Sequence, residues 1–220
     1  MTNSQYIIDK KIKINYIYLQ VRDMISKKIQ DNKDEKENKL LESAFNLFTS
    51  KGVKDTSIQE ITDDAGVAKG TLYLYFKDKY DIQDYLITKK SKQLFNDAIK
   101  SLNKKNITDF KERIIYVIDY IIDKLNRNKL LLKFISKNLS FAIYSDKLTK
   151  MIDNDTLGIT DLIQKDINNN KIKIENIELK IYMIIELVSG IVFNSILYNK
   201  PLPIKELKPY LYEEIKIMLN

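Results

Sequence analysis

The sequence predicts an all-α fold, and three observations lead to that prediction. The 220-residue chain contains only 5 Gly and 3 Pro, and the prolines (Pro201, Pro203 and Pro209) all lie near the C-terminus. Because glycine and proline form most tight turns, this usage favours long helices over a sandwich or a barrel. Apolar residues also recur every three or four positions along most of the chain, which is the period of a helix face.

Composition excludes several classes of chemistry. The chain has no cysteine and no histidine. Disulfides, thiolate nucleophiles, zinc fingers, Ser-His-Asp triads and histidine-centred metal sites are therefore excluded, and no cofactor is expected. The net charge of +7 is compatible with a polyanionic partner, although basic and acidic side chains balance at nine each over residues 36–90.

Residues 1–36 form an extension whose role the sequence leaves open. Its apolar residues alternate with lysines and then fall at helical spacing, and the polar stretch 31–39 is typical of a linker. Three interpretations compete. The extension is an amphipathic helix docked on the body, a mobile basic arm that helps to hold DNA, or a leader without a specific role, with translation beginning at Met24. The first residues do not have the order of a signal peptide, which favours a cytoplasmic protein.

Residues 37–76 predict three short helices. The first covers 37–52 and ends at Gly52. Ser57 and Glu60 have the spacing of a capping box that begins a second helix, which Gly66 ends. A third helix is predicted over 68–76.

From Asp78, which is expected to cap a fourth helix, every segment predicts a helix. Thr108 is expected to cap the next one. The segment 181–198 is long enough to span a membrane, but Glu186, Asn194 and Ser195 lie within it, so we expect a buried or interfacial helix instead. The predicted segments are 81–102, 110–125, 130–139, 156–168, 181–198 and 203–219.

The second and third helices have the pattern of a helix-turn-helix, whose second helix enters the major groove of DNA. A tight turn at Gly66 separates them. In the third helix, Val67, Leu72 and Phe76 are expected to face inward, which turns the small, polar and aromatic residues between them outward. Gly70 is unfavourable in a helix by about 1 kcal/mol relative to alanine and suits a place where a DNA backbone comes close.

The string AGVAKGTLYLYFKDK, from Ala65 to Lys79, resembles the signature of the TetR family of bacterial transcriptional regulators. The resemblance is strong over residues 40–86. It implies an all-helical homodimer with an N-terminal three-helix helix-turn-helix DNA-binding domain followed by a helical ligand-binding and dimerisation domain. With this resemblance, the chain divides into an extension (1–36), a DNA-binding domain (37–80) and a ligand-binding and dimerisation domain (81–220).

The resemblance also implies a function. We expect a repressor that a small-molecule effector releases from a palindromic double-stranded DNA operator, with no role for a membrane. By the same resemblance, residues of the motif contact phosphates or base edges. They are Thr56, Ser57, Gln59, Lys69, Gly70, Thr71, Tyr73, Leu74, Tyr75, Lys77 and Lys79.

Three positions depart from the family pattern. Ala68 stands where a serine or threonine usually caps the recognition helix, Leu74 replaces a residue that is often His, Trp or Asn, and Thr62 replaces a small alanine. The motif also lacks arginine, which makes the commonest specific contact with guanine. Apolar contact of Leu74 or Ala68 with thymine methyl groups is the natural substitute, so an A·T-rich palindrome is expected.

The last two helices are expected to pair with those of a second subunit in a four-helix bundle. The predicted interface residues are Ile181, Ile185, Val188, Gly190, Val192, Leu207, Leu211 and Ile215. A ligand pocket is expected among the helices between residues 81 and 198. Its candidate lining residues are Phe95, Tyr116, Tyr120, Phe134, Phe141, Tyr144, Tyr182, Met183 and Glu186.

An alternative function is a helical homodimeric interaction protein that has lost DNA binding, which the missing cap at Ala68 favours. A third possibility, a helical enzyme, has no supporting set of residues in the sequence.

Overall fold

The computed structural model describes residues 3–135 and 174–220, and side chains from residue 19 onward. These residues form helices and turns, which confirms the predicted all-α fold. The predicted helix 156–168, and the candidates Phe141 and Tyr144, lie outside the described residues. The helices are α1 (Asn3–Lys51), α2 (Ile58–Ala65), α3 (Lys69–Leu72), α4 (Lys79–Leu102), α5 (Phe110–Arg127), α6 (Lys129–Ile135), α7 (Ile177–Tyr198) and α8 (Ile204–Met218).

Helix α1 is continuous for 49 residues, so the predicted linker at 31–39 is wrong. The polar residues of this stretch are paired along the helix instead. Gln30 Nε2 donates to Asp34 Oδ1 at 2.8 Å, and Lys39 and Glu35 form an ion pair at 2.7 Å. Such pairs four residues apart support a helix, and no glycine or proline precedes Gly52 to interrupt it.

Residues 19–36 of α1 lie outside the packed core. Every side chain from residue 19 to residue 36 is exposed, including Met24, Ile25 and Ile29. The expectation of an amphipathic helix docked on the body is therefore wrong for these residues. Burial of α1 in the core begins at Leu40, which is fully buried.

The capping residues predicted for α2 and α4 are confirmed. Ser57 and Glu60 form the predicted capping box, in which Glu60 N donates to Ser57 Oγ and Ser57 N donates to Glu60 Oε2. Gly66 ends α2 in the left-handed conformation (φ 63°), which glycine adopts without strain. Asp78 caps α4 by accepting from the N–H groups of Tyr80 and Asp81.

Two predicted helix limits are corrected. Helix α3 ends at Leu72, because the chain then tightens into a turn in which Leu74 N donates to Thr71 O. Helix α5 is capped by Asp109, whose side chain accepts from Glu112 N at 2.9 Å, and not by Thr108.

The buried apolar residues form two clusters. One joins α1, α2 and α3 to the start of α4 and reaches Leu86; the other begins at Leu94 and extends through α5, α6, α7 and α8. Helix α4 contributes to both clusters, so it connects the helix-turn-helix unit to the rest of the chain. The predicted boundary at 80/81 thus falls within the first turn of α4.

An ionic network attaches α8 to α5. Lys208 Nζ contacts both Asp119 and Asp123, and the Tyr212 hydroxyl donates to Asp119. Burial opposes the charge on Lys208, but the two carboxylates outweigh it and raise the pKa of Lys208 above 10.5. Lys208 therefore remains charged at neutral pH.

Helix α7 has the length and composition of a membrane span, and it is the one such helix in the described part of the chain. One face of it lies in the second cluster, with Ile184 and Val192 almost fully buried. A core helix meets the same criteria, so this is weak evidence for a membrane.

Candidate nucleic-acid interface

The loop before α2 is held by buried polar contacts. Thr56 is fully buried, and its hydroxyl donates to Gly52 O at 2.8 Å. Lys79 Nζ crosses from the start of α4 to donate to Lys54 O at 2.7 Å and to Thr56 O at 2.9 Å. The expected phosphate contact of the Thr56 side chain is therefore corrected, because this side chain lies inside the loop. In this arrangement Lys79 positions the loop.

The position of α3 is set by two core residues. Leu72 is fully buried and Phe76 nearly so, as predicted, and the Phe76 ring packs against Tyr85 with centroids 5.4 Å apart. Ala68, at the N-cap, makes no side-chain capping bond, as its residue type predicts. Helix α3 is therefore held by its buried face rather than by its cap.

The opposite face of α3 and of the following turn is open to solvent. Tyr73 is 52% exposed and Leu74 is 80% exposed. A Cβ atom added to Gly70 would have no neighbour within 4 Å. These residues form, with two lysines, a continuous outward surface, which we call the reading face. Its members are Lys69, Gly70, Tyr73, Leu74 and Lys77.

Four other predicted contact residues differ in their surroundings. Ser57 is exposed at the start of α2, and Thr71 is half-buried. Gln59 is exposed, with its amide donating to Asp63 Oδ1 at 2.8 Å. Tyr75 is half-buried against the first cluster, and its hydroxyl donates to Lys33 O of α1 at 3.2 Å.

An ion pair fixes the N-terminal turn of α2. Lys51, the last residue of α1, contacts Glu60. This contact, together with the bonds from Ser57, lowers the pKa of Glu60 from 4.5 to about 2. The carboxylate therefore stays ionised at neutral pH and joins the end of α1 to the beginning of the helix-turn-helix.

Residues 40–86, which span the first cluster and the reading face, match the family "Bacterial regulatory proteins, tetR family". These residues form a helix-turn-helix unit of the TetR family. The match coincides with the part of the chain in which the capped α2, the Gly66 turn and the outward face of α3 occur together.

Two curated transcriptional regulators are similar to part of this chain. YuxN of Bacillus subtilis, an HTH-type transcriptional regulator, is 30% identical over 105 residues, which are 44% of this chain and 36% of YuxN. An HTH-type transcriptional regulator of Staphylococcus aureus (strain USA300) is 33% identical over 105 residues, 47% of this chain and 56% of that protein. The matches thus span about a third to a half of these relatives.

The fold of the wider chain has a counterpart among solved structures. FadR from Bacillus subtilis, crystallised in complex with stearoyl-CoA, superposes with a TM-score of 0.57 at 21% identity. The superposition covers 81% of this chain and 97% of that one. This likeness shows that the chain shares the fold of that structure beyond residues 40–86.

The predicted dimer interface is wrong for seven of its eight residues. Each of the seven is buried in the chain's own core, because the face of α7 and α8 that they occupy packs inward. They are Ile181, Ile185, Val188, Val192, Leu207, Leu211 and Ile215. Gly190 is the exception, since it is exposed and a Cβ atom there would have no neighbour within 4 Å.

A mostly apolar surface on the other face of α7 and α8 was not predicted from the sequence. We call it the outer face of α7 and α8. Its exposed residues are Leu179, Met183, Glu186, Gly190, Tyr198, Tyr210 and Ile217. Four of the α7 positions, at 179, 183, 186 and 190, follow the three-and-four spacing of one helix face, but the buried positions of this apolar helix follow the same spacing, so the sequence does not distinguish the two faces.

A small apolar cavity lies between α4, α5 and α7. Its volume is about 40 Å³, and Phe95 lines it as predicted. The other lining residues are all Ile or Val: Ile114, Val117, Ile118, Ile121, Ile181, Ile184, Ile185 and Val188. Empty cavities with apolar walls of this kind stay dry and take apolar guests.

The remaining described candidates for the pocket lie elsewhere. Tyr116 and Tyr120 face a polar groove along α5, where Tyr116 Oη and Ser101 Oγ are 2.8 Å apart. Phe134 contacts the first cluster. Tyr182, Met183 and Glu186 are exposed on α7, so their assignment to a pocket is wrong. Among the described side chains there is also no group of acidic residues arranged to hold a metal ion.

Proposed function

We propose that this TetR-family protein is a DNA-binding transcriptional regulator that represses from a palindromic operator and leaves it when a small molecule binds. The observation that supports DNA binding is the reading face. It is rigidly backed by Leu72 and Phe76, open to solvent, and flanked by the ammonium groups of Lys69 and Lys77. A helix in this position presents its outward side chains to base edges in the major groove.

The test is binding to the DNA upstream of the protein's own gene. We expect retardation of this fragment by the purified protein, and loss of retardation with the double variant Lys69→Ala plus Tyr73→Ala. A matched control, Lys104→Ala plus Lys105→Ala, removes charge from the exposed turn after α4, far along that helix from the reading face. Equal binding by the wild type and the reading-face variant would contradict the proposal.

Absence of DNA binding by the wild type would favour the alternative function, a helical homodimeric interaction protein. Ala68 supports this alternative because its side chain supplies neither a cap nor a phosphate contact. In either case we propose no catalytic activity and a cytoplasmic location, as is general for this family.

We propose that the protein acts as a homodimer that pairs through the outer face of α7 and α8. Large apolar side chains such as Tyr198 and Tyr210 are more than half exposed on this face, and Gly190 leaves room for a helix to approach. A twofold contact of this kind is isologous and matches a palindromic operator.

For the effector we propose a molecule with an apolar chain. The cavity beside Phe95 offers only apolar contacts, and a volume of about 40 Å³ requires its walls to move apart around a larger guest. FadR, which has a similar fold, was crystallised with stearoyl-CoA, and this supports an acyl chain as the first compound to try. We expect stearoyl-CoA, and not free coenzyme A, to release the DNA. Ile118→Phe, which fills the cavity, should weaken this release, whereas Ile217→Phe on the outer face should not.

A further inference from the structure

Leu74 is the most exposed of the large apolar side chains among the described residues. Its orientation is fixed by the residues around it, because Leu72 and Phe76 are both anchored in the core. Leu74 N donates to Thr71 O at 3.2 Å, which closes the turn and holds the side chain outward. An apolar group is thus presented rigidly at the centre of the reading face.

The polar groups near Leu74 offer limited means of reading bases. Arginines occur only at positions 22, 113 and 127, so the motif has none. Gln59, whose amide suits adenine, is bonded to Asp63. Lys69 remains available for guanine at the start of α3, but it is five residues away from Leu74.

The major groove contains one apolar group, the C5-methyl of thymine. An exposed leucine gains from contact with this methyl and gains nothing from the polar edges of guanine or cytosine. We infer that Leu74 packs against a thymine methyl in each half-site, so that the protein requires an A·T pair at that position. This inference rests on the proposed function, since it presupposes an operator.

The experiment replaces thymine with deoxyuridine, which removes only the methyl group and keeps every hydrogen-bonding group. An operator is first selected from random duplexes, and each thymine of one half-site is then replaced in turn. Burial of one methyl group corresponds to about a fourfold change in Kd. We expect one thymine per half-site to show this loss, and a product of about sixteenfold when both half-sites are changed.

The variant Leu74→Ala identifies the side chain responsible. It should bind the thymine operator more weakly and should no longer distinguish deoxyuridine from thymine at that position. The matched control, Lys77→Ala, should weaken binding to both duplexes equally and keep the distinction. Circular dichroism and thermal unfolding check that both variants fold, which is expected because both side chains are exposed.

The experiment distinguishes failure of this inference from failure of the proposed function. If the wild type selects no DNA, the proposed function fails and this inference fails with it. If it selects an operator but no deoxyuridine weakens binding, or Leu74→Ala keeps the distinction, only the inference is overturned. A selected consensus with G·C pairs throughout the contacted positions would also overturn it.

Discussion

The ring of Phe134, on α6, meets the ring of Phe45, on α1, edge to face, with centroids 5.2 Å apart and planes at 81°. Phe134 also packs against the second cluster, so this ring touches both cores. Lys90 Nζ, from α4, lies 4.0 Å from the centroid of Phe45 on the same junction. Three helices therefore converge on one aromatic pair at the boundary between the DNA-binding unit and the larger body.

We predict that Phe134→Ala lowers the free energy of unfolding by about 2 kcal/mol, less than for a fully buried phenylalanine because this ring is half-buried. Phe45→Leu and the double variant complete a cycle, in which an edge-to-face pair should show a coupling of about 1 kcal/mol. Urea titration measures each value. Strict additivity of the two changes would show that the pair acts only through burial.

Lys77 and Lys79 are two residues apart but should act differently. Lys79 Nζ is bonded to two carbonyl groups of the loop before α2, so Lys79→Met should lower stability by about 1–2 kcal/mol and weaken DNA binding through the displaced loop. Thermal unfolding and DNA titration of the same sample separate the two effects.

Lys77→Met should leave stability within about 0.5 kcal/mol, since the side chain is exposed. If Lys77 contacts a phosphate, its loss reduces the slope of log K against log salt concentration by about one and weakens all DNA sequences alike. An unchanged slope would remove Lys77 from the set of phosphate contacts.

The capping box gives a pH prediction. The folded pKa of Glu60 is about 2 against an ordinary 4.5, so its ionised form stabilises the folded state above pH 4.5, and this contribution is lost as the pH falls from about 4.5 to 2. Glu60→Gln should lower the melting temperature at pH 7 and reduce the difference from wild type progressively below pH 4.5. A constant difference from pH 7 to pH 2 would contradict the assigned pKa.

Gly190 provides a test of the proposed dimer. Because an added Cβ atom meets nothing within 4 Å, Gly190→Ala and Gly190→Leu should both fold. Leucine is large enough to hold a partner helix away, so Gly190→Leu should weaken dimerisation, whereas Gly190→Ala should affect it much less. Sedimentation equilibrium measures both constants. Equal dimer constants for Gly190→Leu and the wild type would place the interface elsewhere.

The caps and the motif were predictable because their chemistry is local. Ser57 and Glu60 are three residues apart, and Gly66 needs only its own backbone conformation, so the sequence contains all the information that these structures require. The inward positions of α3 follow from a helical period with two large apolar residues, Leu72 and Phe76.

The faces of α7 were not predictable in the same way. A helix that is apolar all round has no polar stripe to show which side faces its own core. Ile181 and Met183 are both apolar, although one is buried and the other is exposed. Only the packing of α7 against α6 and α8 decides which face is buried. The polar stretch 31–39 was wrongly predicted to be a linker for a related reason. Its side chains stabilise a solvent-exposed helix as readily as they suit a linker.

Because α1 is continuous, its exposed N-terminal part moves together with the DNA-binding unit to which it is joined. Its exposed part is fixed to the DNA-binding unit by Tyr75 at Lys33 and by Tyr85 at Glu37. Residues 3–32 extend about 45 Å beyond the first of these bonds, so a tilt of the unit by ten degrees would sweep the tip through about 8 Å. The chain has no natural cysteine, so a single spin label at the exposed Gln20 would magnify small rotations of the reading face into measurable distances.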